Sequence, residues 1–227
     1  LGANRIFINN SQFGGVQPGG GGGALMYAGG ANGNYTISGS LTDAIRWATQ
    51  NGQGGLINVF SGTLTLGVGI GSGSASISKT GEGTLVMQNN VASGDFRIYQ
   101  GVVRLRTNSC GTITNTGYVQ NGVALELANS INVAKLLNIT GTGIANGGAL
   151  RNFGNSNTYS GAITLGTGGA RINSDSGTLT LTGGVVTAGN TVTFGGSGNT
   201  TVSTAAISGG GGLMKDGLGT TTLSAAN

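Results

Sequence analysis

The chain has no histidine, one proline and one cysteine, and only 7% of its 227 residues are charged. Without His, neither a Ser–His nor a Cys–His nucleophile can be assembled, and His-based metal sites are excluded. A lone cysteine, Cys110, cannot close an internal disulfide and rules out Cys-rich metal centres. It reads as a small buried or turn residue. With a single Pro, the 49 glycines cannot belong to a collagen repeat. Aromatics are scarce at 5%, below what a β-sandwich or small barrel draws on for its core. No apolar run reaches the roughly 18 residues of a transmembrane helix. No signal-peptide regions follow Leu1, so the chain reads as a mature or internal piece of a longer protein. Ten cations against six anions give a net charge of +4, without the dense basic clusters and interleaved aromatics of a nucleic-acid binder. Neither a nucleic-acid partner nor a cofactor is expected.

What is present is short alternation. Thr63-Leu64-Thr65-Leu66 and Thr178-Leu179-Thr180-Leu181 put aliphatics on one face and threonines on the other, as a half-buried strand does. Comparable runs include 56–60, 75–78, 84–88, 95–99, 102–106, 124–127, 136–139, 162–165, 170–173, 191–194 and 213–215, punctuated by Gly, Asn or Ser. Lys79-Thr80-Gly81-Glu82-Gly83-Thr84-Leu85 returns, more than half the chain later, as Lys215-Asp216-Gly217-Leu218-Gly219-Thr220-Thr221. A phrase repeated within alternating sequence predicts a stacked solenoid. The fold class expected is all-β, a right-handed parallel β-helix over residues 24–227, with coils of roughly 20–25 residues.

Two segments differ. Residues 41–50 predict one short helix, with Ser40 as N-cap, Leu41, Ala44, Ile45 and Ala48 on one face, and Gly52 as its stop. Gly14–Gly23 holds seven glycines in ten positions and reads as a linker or loop, leaving residues 1–13 as an N-terminal arm.

Within each phrase, Lys79 shares the parity of Ile77, and Lys215 that of Leu213. The lysine therefore ends its strand facing the core, with its stem on apolar surface and its amine reaching turn carbonyls or solvent. The Gly-x-Gly pairs Gly81/Gly83 and Gly217/Gly219 make the reversal, and Thr84 and Thr220 open the next strand.

The segment Ile77–Leu105 resembles an autotransporter-associated β-strand repeat, through Lys79, Gly81, Gly83, Thr84, Leu85, Met87, Asn89, Ser93-Gly94 and Gly101-Val102-Val103-Arg104-Leu105. Asn157–Leu165 is similar to the middle of such a unit, and a second copy starts at Leu213. The resemblance covers 75–227 better than residues 1–60. It implies a right-handed β-helix, secreted or at the cell surface of a Gram-negative-type bacterium. The exporting barrel of such proteins is not visible in this sequence.

The candidates for chemistry are few. Asp43, Glu82, Asp95, Glu126, Asp175 and Asp216 are all more than ten residues apart, whereas β-helix polysaccharide-cleaving enzymes cluster carboxylates in one groove. Arg97, Arg104 and Arg106 point outward and form a basic patch suited to an anionic glycan, or a solvated face that discourages edge pairing. Thr-x-Thr pairs begin at Thr63, Thr112, Thr140, Thr178, Thr191 and Thr220, at intervals that share no common period. Such intervals predict no register, and so no ice-binding face. The expectation is a non-enzymatic structural module of a secreted surface or matrix protein (stalk, adhesin passenger or filament subunit), with end-to-end self-association into fibres. The alternative is a secreted carbohydrate-binding or carbohydrate-cleaving β-helix.

Overall fold

A computed structural model describes residues 24–27, 34–37 and 45–46, and residues 55–225 other than 68, 72–75, 90, 93, 109 and 111–113. The expected arm and Gly-rich linker, residues 1–23, lie outside the described residues. The chain is an all-β parallel solenoid whose strands stack in three columns. The first column runs Ala24–Tyr27, Gly55–Val59, Ile77–Thr80, Phe96–Ile98, Thr116–Val119, Leu136–Gly141, the start of Ile163–Ser174, Val185–Val186 and Ile207–Ser208. The second runs Asn34–Ile37, Thr63–Leu66, Thr84–Met87, Val102–Leu105, Ala124–Leu127, Leu150–Asn152, the end of Ile163–Ser174, Val192–Gly195 and Leu213–Lys215. The third holds Ile45–Arg46, Ile70–Gly71 and Val91–Ala92, then Asn132–Val133, Asn157–Tyr159, Thr178–Leu181, Asn199–Val202 and Thr221–Leu223.

Period-2 alternation places every second residue of a strand in the interior, so each column carries stacked inward rungs. In the second column Leu64, Leu85, Val103, Leu125, Leu150, Ile172 and Phe194 stack in register, and all are buried. Each such side chain contributes about 1.5–3 kcal/mol by leaving water. In the first column the stack is Ile57, Lys79, Ile98, Val119, Ile139 and Leu165. From Ile57 to Ile139 these partners recur at close to the coil length read from sequence, and the step from Ile139 to Leu165 is longer. That long step carries the one helical turn among the described residues, a 3₁₀ turn at Ile144–Asn146.

The helix expected over residues 41–50 is contradicted at its centre. Ile45–Arg46 is a strand paired in parallel with Ile70–Gly71, and the remaining positions lie outside the described residues. The helical periodicity of the segment is overridden by the ladder that the third column offers. No helix among the described residues is long and apolar enough to cross a membrane.

The interior also takes polar residues where it turns from second to third column. Asn152 and Ser174 continue the rung of Leu127. Asn157 Nδ2 donates to Asn152 Oδ1 and to the Gly154 carbonyl, while Asn157 Oδ1 accepts from the Ile131 amide at 2.8 Å. Asn152 Nδ2 donates to Ser176 O at 2.7 Å. Buried amides are tolerated because they are bonded in this way.

A threonine register, which the Thr-x-Thr spacing argued against, exists in the third column. Asn132, Thr158, Thr180, Thr201 and Thr222 occupy one outward line of strand partners. The spacing of Thr-x-Thr pairs conceals it because Ser156-Asn157-Thr158 and Asn199-Thr200-Thr201 fill intermediate tiers without reading Thr-x-Thr.

Candidate functional site

The three arginines do not form a free basic patch. Arg97 projects from the first column, donates to Asp95 Oδ2 at 3.0 Å and lies 4.5 Å from the ring centroid of Tyr118, its partner in the next tier. Burial alone would lower its pKa, but hydrogen bonds with Asp95 and Tyr99 outweigh that and raise it. Arg104 projects from the second column, where Val86, Arg104, Glu126, Arg151 and Asn173 are successive partners. Its Nε donates to Glu126 Oε2 at 2.7 Å, and its guanidinium packs 3.6 Å from the Phe153 ring centroid. Glu126 is 2% exposed and also accepts from Arg151 Nη1 at 2.9 Å. Arg151 continues to Asp175 Oδ2 at 2.6 Å. Burial would lower the Arg151 pKa, yet Asp175 and Glu126 together raise it. Arg106, one residue past Val102–Leu105, is exposed and pairs with no carboxylate among the described residues. The result is an alternating Arg–Glu–Arg–Asp ladder that clamps successive tiers, with Phe153 lying against Arg104.

Sequence reading missed Glu126, Arg151, Asp175 and Phe153 as members of this cluster. Their spacing carries little signal: 22 residues separate Arg104 from Glu126, and 25 separate Glu126 from Arg151. Coil length varies along the chain, so no constant offset marks stacked residues. Among the described acids, Asp95, Glu126, Asp175 and Asp216 are each bonded to an arginine. Glu82 is exposed.

The repeated phrase is a corner in both copies, but not the same corner. Lys79 lies in a first-column strand, and Thr84 opens the second-column strand Thr84–Met87. Lys215 ends a second-column strand, and Thr220 precedes the third-column strand Thr221–Leu223. The copies therefore lie six tiers plus one column apart. Lys79 is fully buried, and its Nζ donates to Gly81 O at 2.6 Å and Gln100 O at 3.0 Å. Burial pulls its pKa down to about 8, and the charge of Glu82 partly offsets that. Lys215 is exposed, yet its Nζ makes the same bond to its own glycine, Gly217 O, at 3.0 Å. Gly81 and Gly217 share φ of +78°, the left-handed region that favours glycine. The second glycine of each pair serves close approach instead: a Cβ on Gly83 would come within 2.8 Å of Gly62 O, and one on Gly219 would strike Gly198 O. Thr84 stacks between Thr63 and Val102, while the Thr220 amide donates to Asn199 Oδ1 at 2.9 Å.

A second buried cluster lies at the break in the third column. Lys135 Nζ donates to Gly94 O at 2.9 Å, and Tyr159 OH donates to Lys135 O at 2.8 Å. Cys110 is buried beside them, its thiol pushed up to about 12 by desolvation despite the opposing charge of Lys135. Such a thiol is a packing group rather than a nucleophile. Comparison of the chain with protein-family profiles, curated proteins and solved structures returns no match.

Proposed function

We propose that this solenoid is a non-enzymatic structural module of a secreted cell-surface or extracellular matrix protein, serving as a stalk, adhesin passenger or filament subunit. The observation that carries this reading is the use made of the charges. Glu126, Asp175 and Asp216 each join arginines from other tiers, where a hydrolase would hold carboxylates free and facing a groove. With charge spent on tier-to-tier contacts and aliphatic rungs filling the interior, the chain is built to transmit load along its axis. End-to-end association into fibres and placement outside a Gram-negative-type cell, as members of the autotransporter-associated repeat group are placed, belong to this same proposal. Electron microscopy of the purified chain tests it: rods or fibres of solenoid width are expected. Compact particles that hydrolyse polysaccharide would overturn it. The rival carbohydrate reading draws on Arg106 and Phe153, which is 39% exposed. Retention on an acidic glycan column, lost on Arg106→Ser with Phe153→Ala, would favour it instead.

A further inference from the structure

The third column carries an array that the structural role does not use. Thr158, Thr180, Thr201 and Thr222 are direct strand partners in four consecutive tiers. Coils of nearly equal length keep them in one straight line. Flanking lines are polar too: Thr178 pairs with Asn199 on one side, and Thr182 and Ser203 lie one residue past Leu181 and Val202 on the other. Neighbouring lines are two residues apart along each strand. In-register parallel strands fix this as a rectangular net of about 4.8 Å along the axis and about 6.6 Å along the strand. Four tiers of three positions give a patch of about 14 Å by about 13 Å. Stacking also suppresses the twist that would bow a free sheet.

We propose that this net is an ice-binding face. Three observations select ice over other flat partners. The hydroxyls of Thr158, Thr180, Thr201 and Thr222 make no side-chain hydrogen bond among the described residues, so they are open to an external lattice. The outward positions of the third column in these four tiers include no charged residue, and a charge would hold its own hydration shell against an ordered one. They include no aromatic either, so the net itself offers no stacking platform to a crystalline polysaccharide, the exposed ring of Phe153 lying outside it between the second and third columns. Threonine adds a methyl beside each hydroxyl, and χ1 restriction at a β-branched residue holds both in a repeated orientation. The hydroxyls stand in one line at the spacing of stacked strands, about 4.8 Å, and so offer evenly repeated anchors to an ordered water layer. The small patch predicts adsorption and slowed recrystallisation in preference to a large depression of the freezing point.

The test is partition of the purified chain into slowly grown ice, beside a non-binding tracer protein. The wild type is expected to be enriched over the tracer, and a Thr180→Lys/Thr201→Lys pair to fall to the tracer's level with an unchanged far-UV spectrum. Thr65→Lys, on an outward position of the second column, is expected to keep the enrichment. If the pair does not fold, Thr201→Lys alone carries the same comparison. Exclusion of the wild type from ice overturns the proposal, as does undiminished enrichment of a folded Lys variant. Capture of the wild type by crystalline chitin or cellulose, and not by ice, overturns it too.

Discussion

Lys79–Thr84 and Lys215–Thr220 are near-copies in sequence that turn different corners of the solenoid. Both fold the same way locally: a positive-φ glycine, a lysine amine on that glycine's carbonyl, and a second glycine against the coil beneath. They differ in surroundings. Lys79 has a tier on each side, Ile57 below and Ile98 above, and is fully buried. Lys215 stacks on Phe194 alone among the described residues and is exposed. The phrase thus specifies a bend, while the tiers around it determine how much that bend contributes to stability.

The largest test of this contrast is at the first glycine. Gly81→Ala forces an alanine to positive φ and drives its Cβ onto the Val59 carbonyl oxygen, and is expected to cost about 3 kcal/mol or more. Gly217→Ala meets Gly196 at 2.7 Å in a tier that no other described tier covers, where the coil can shift, and is expected to cost about 1–2 kcal/mol. Equal losses in urea melts would remove the distinction. The second test uses pH. Below about pH 8 both folded and unfolded chains hold the Lys79 proton, and the folded state bears the cost of a buried ammonium. Between about 8 and 10.5 only the unfolded chain keeps it, so stability rises with pH. Relative to Lys79→Met, the wild type is expected to gain about 3 kcal/mol between pH 7 and pH 11. A pH-independent difference between the two melts would contradict the burial of this amine. The smallest effects concern the ion pairs. Glu126→Gln leaves two arginines short of a buried carboxylate and is expected to cost about 2 kcal/mol, a figure held down by the partial exposure of both guanidinium groups. Asp216→Asn removes the exposed partner of Arg171. It should leave the global melt unchanged while speeding amide exchange in Leu213–Lys215.

The aliphatic strands were readable because their alternation is clean: Thr63–Leu66, Ala124–Leu127, Thr178–Leu181 and Leu213–Lys215 lie where the pattern places them. The inward lysine was readable from parity alone. The third column was harder, since Asn157 and Thr200 face the interior there and erase the alternation. Thr116–Val119 was hidden by Gly117, which sits between Phe96 and Leu137 and leaves room for both. The helix expected at 41–50 failed because local periodicity cannot register a neighbouring strand. The charge ladder was illegible because coils of unequal length separate its members, and the threonine line because tiers such as Ser156-Asn157-Thr158 do not read Thr-x-Thr.

The displacement of the two phrases by one column has a genealogical consequence. Recombination between them would excise everything from one lysine to the other and join the end of a first-column strand to the start of a third-column one. The product would skip a wall of the prism and shift everything after the junction by one face. This pair of copies therefore cannot serve as a cassette for lengthening or shortening the protein, and variants that differ in length must be spliced at whole coils elsewhere.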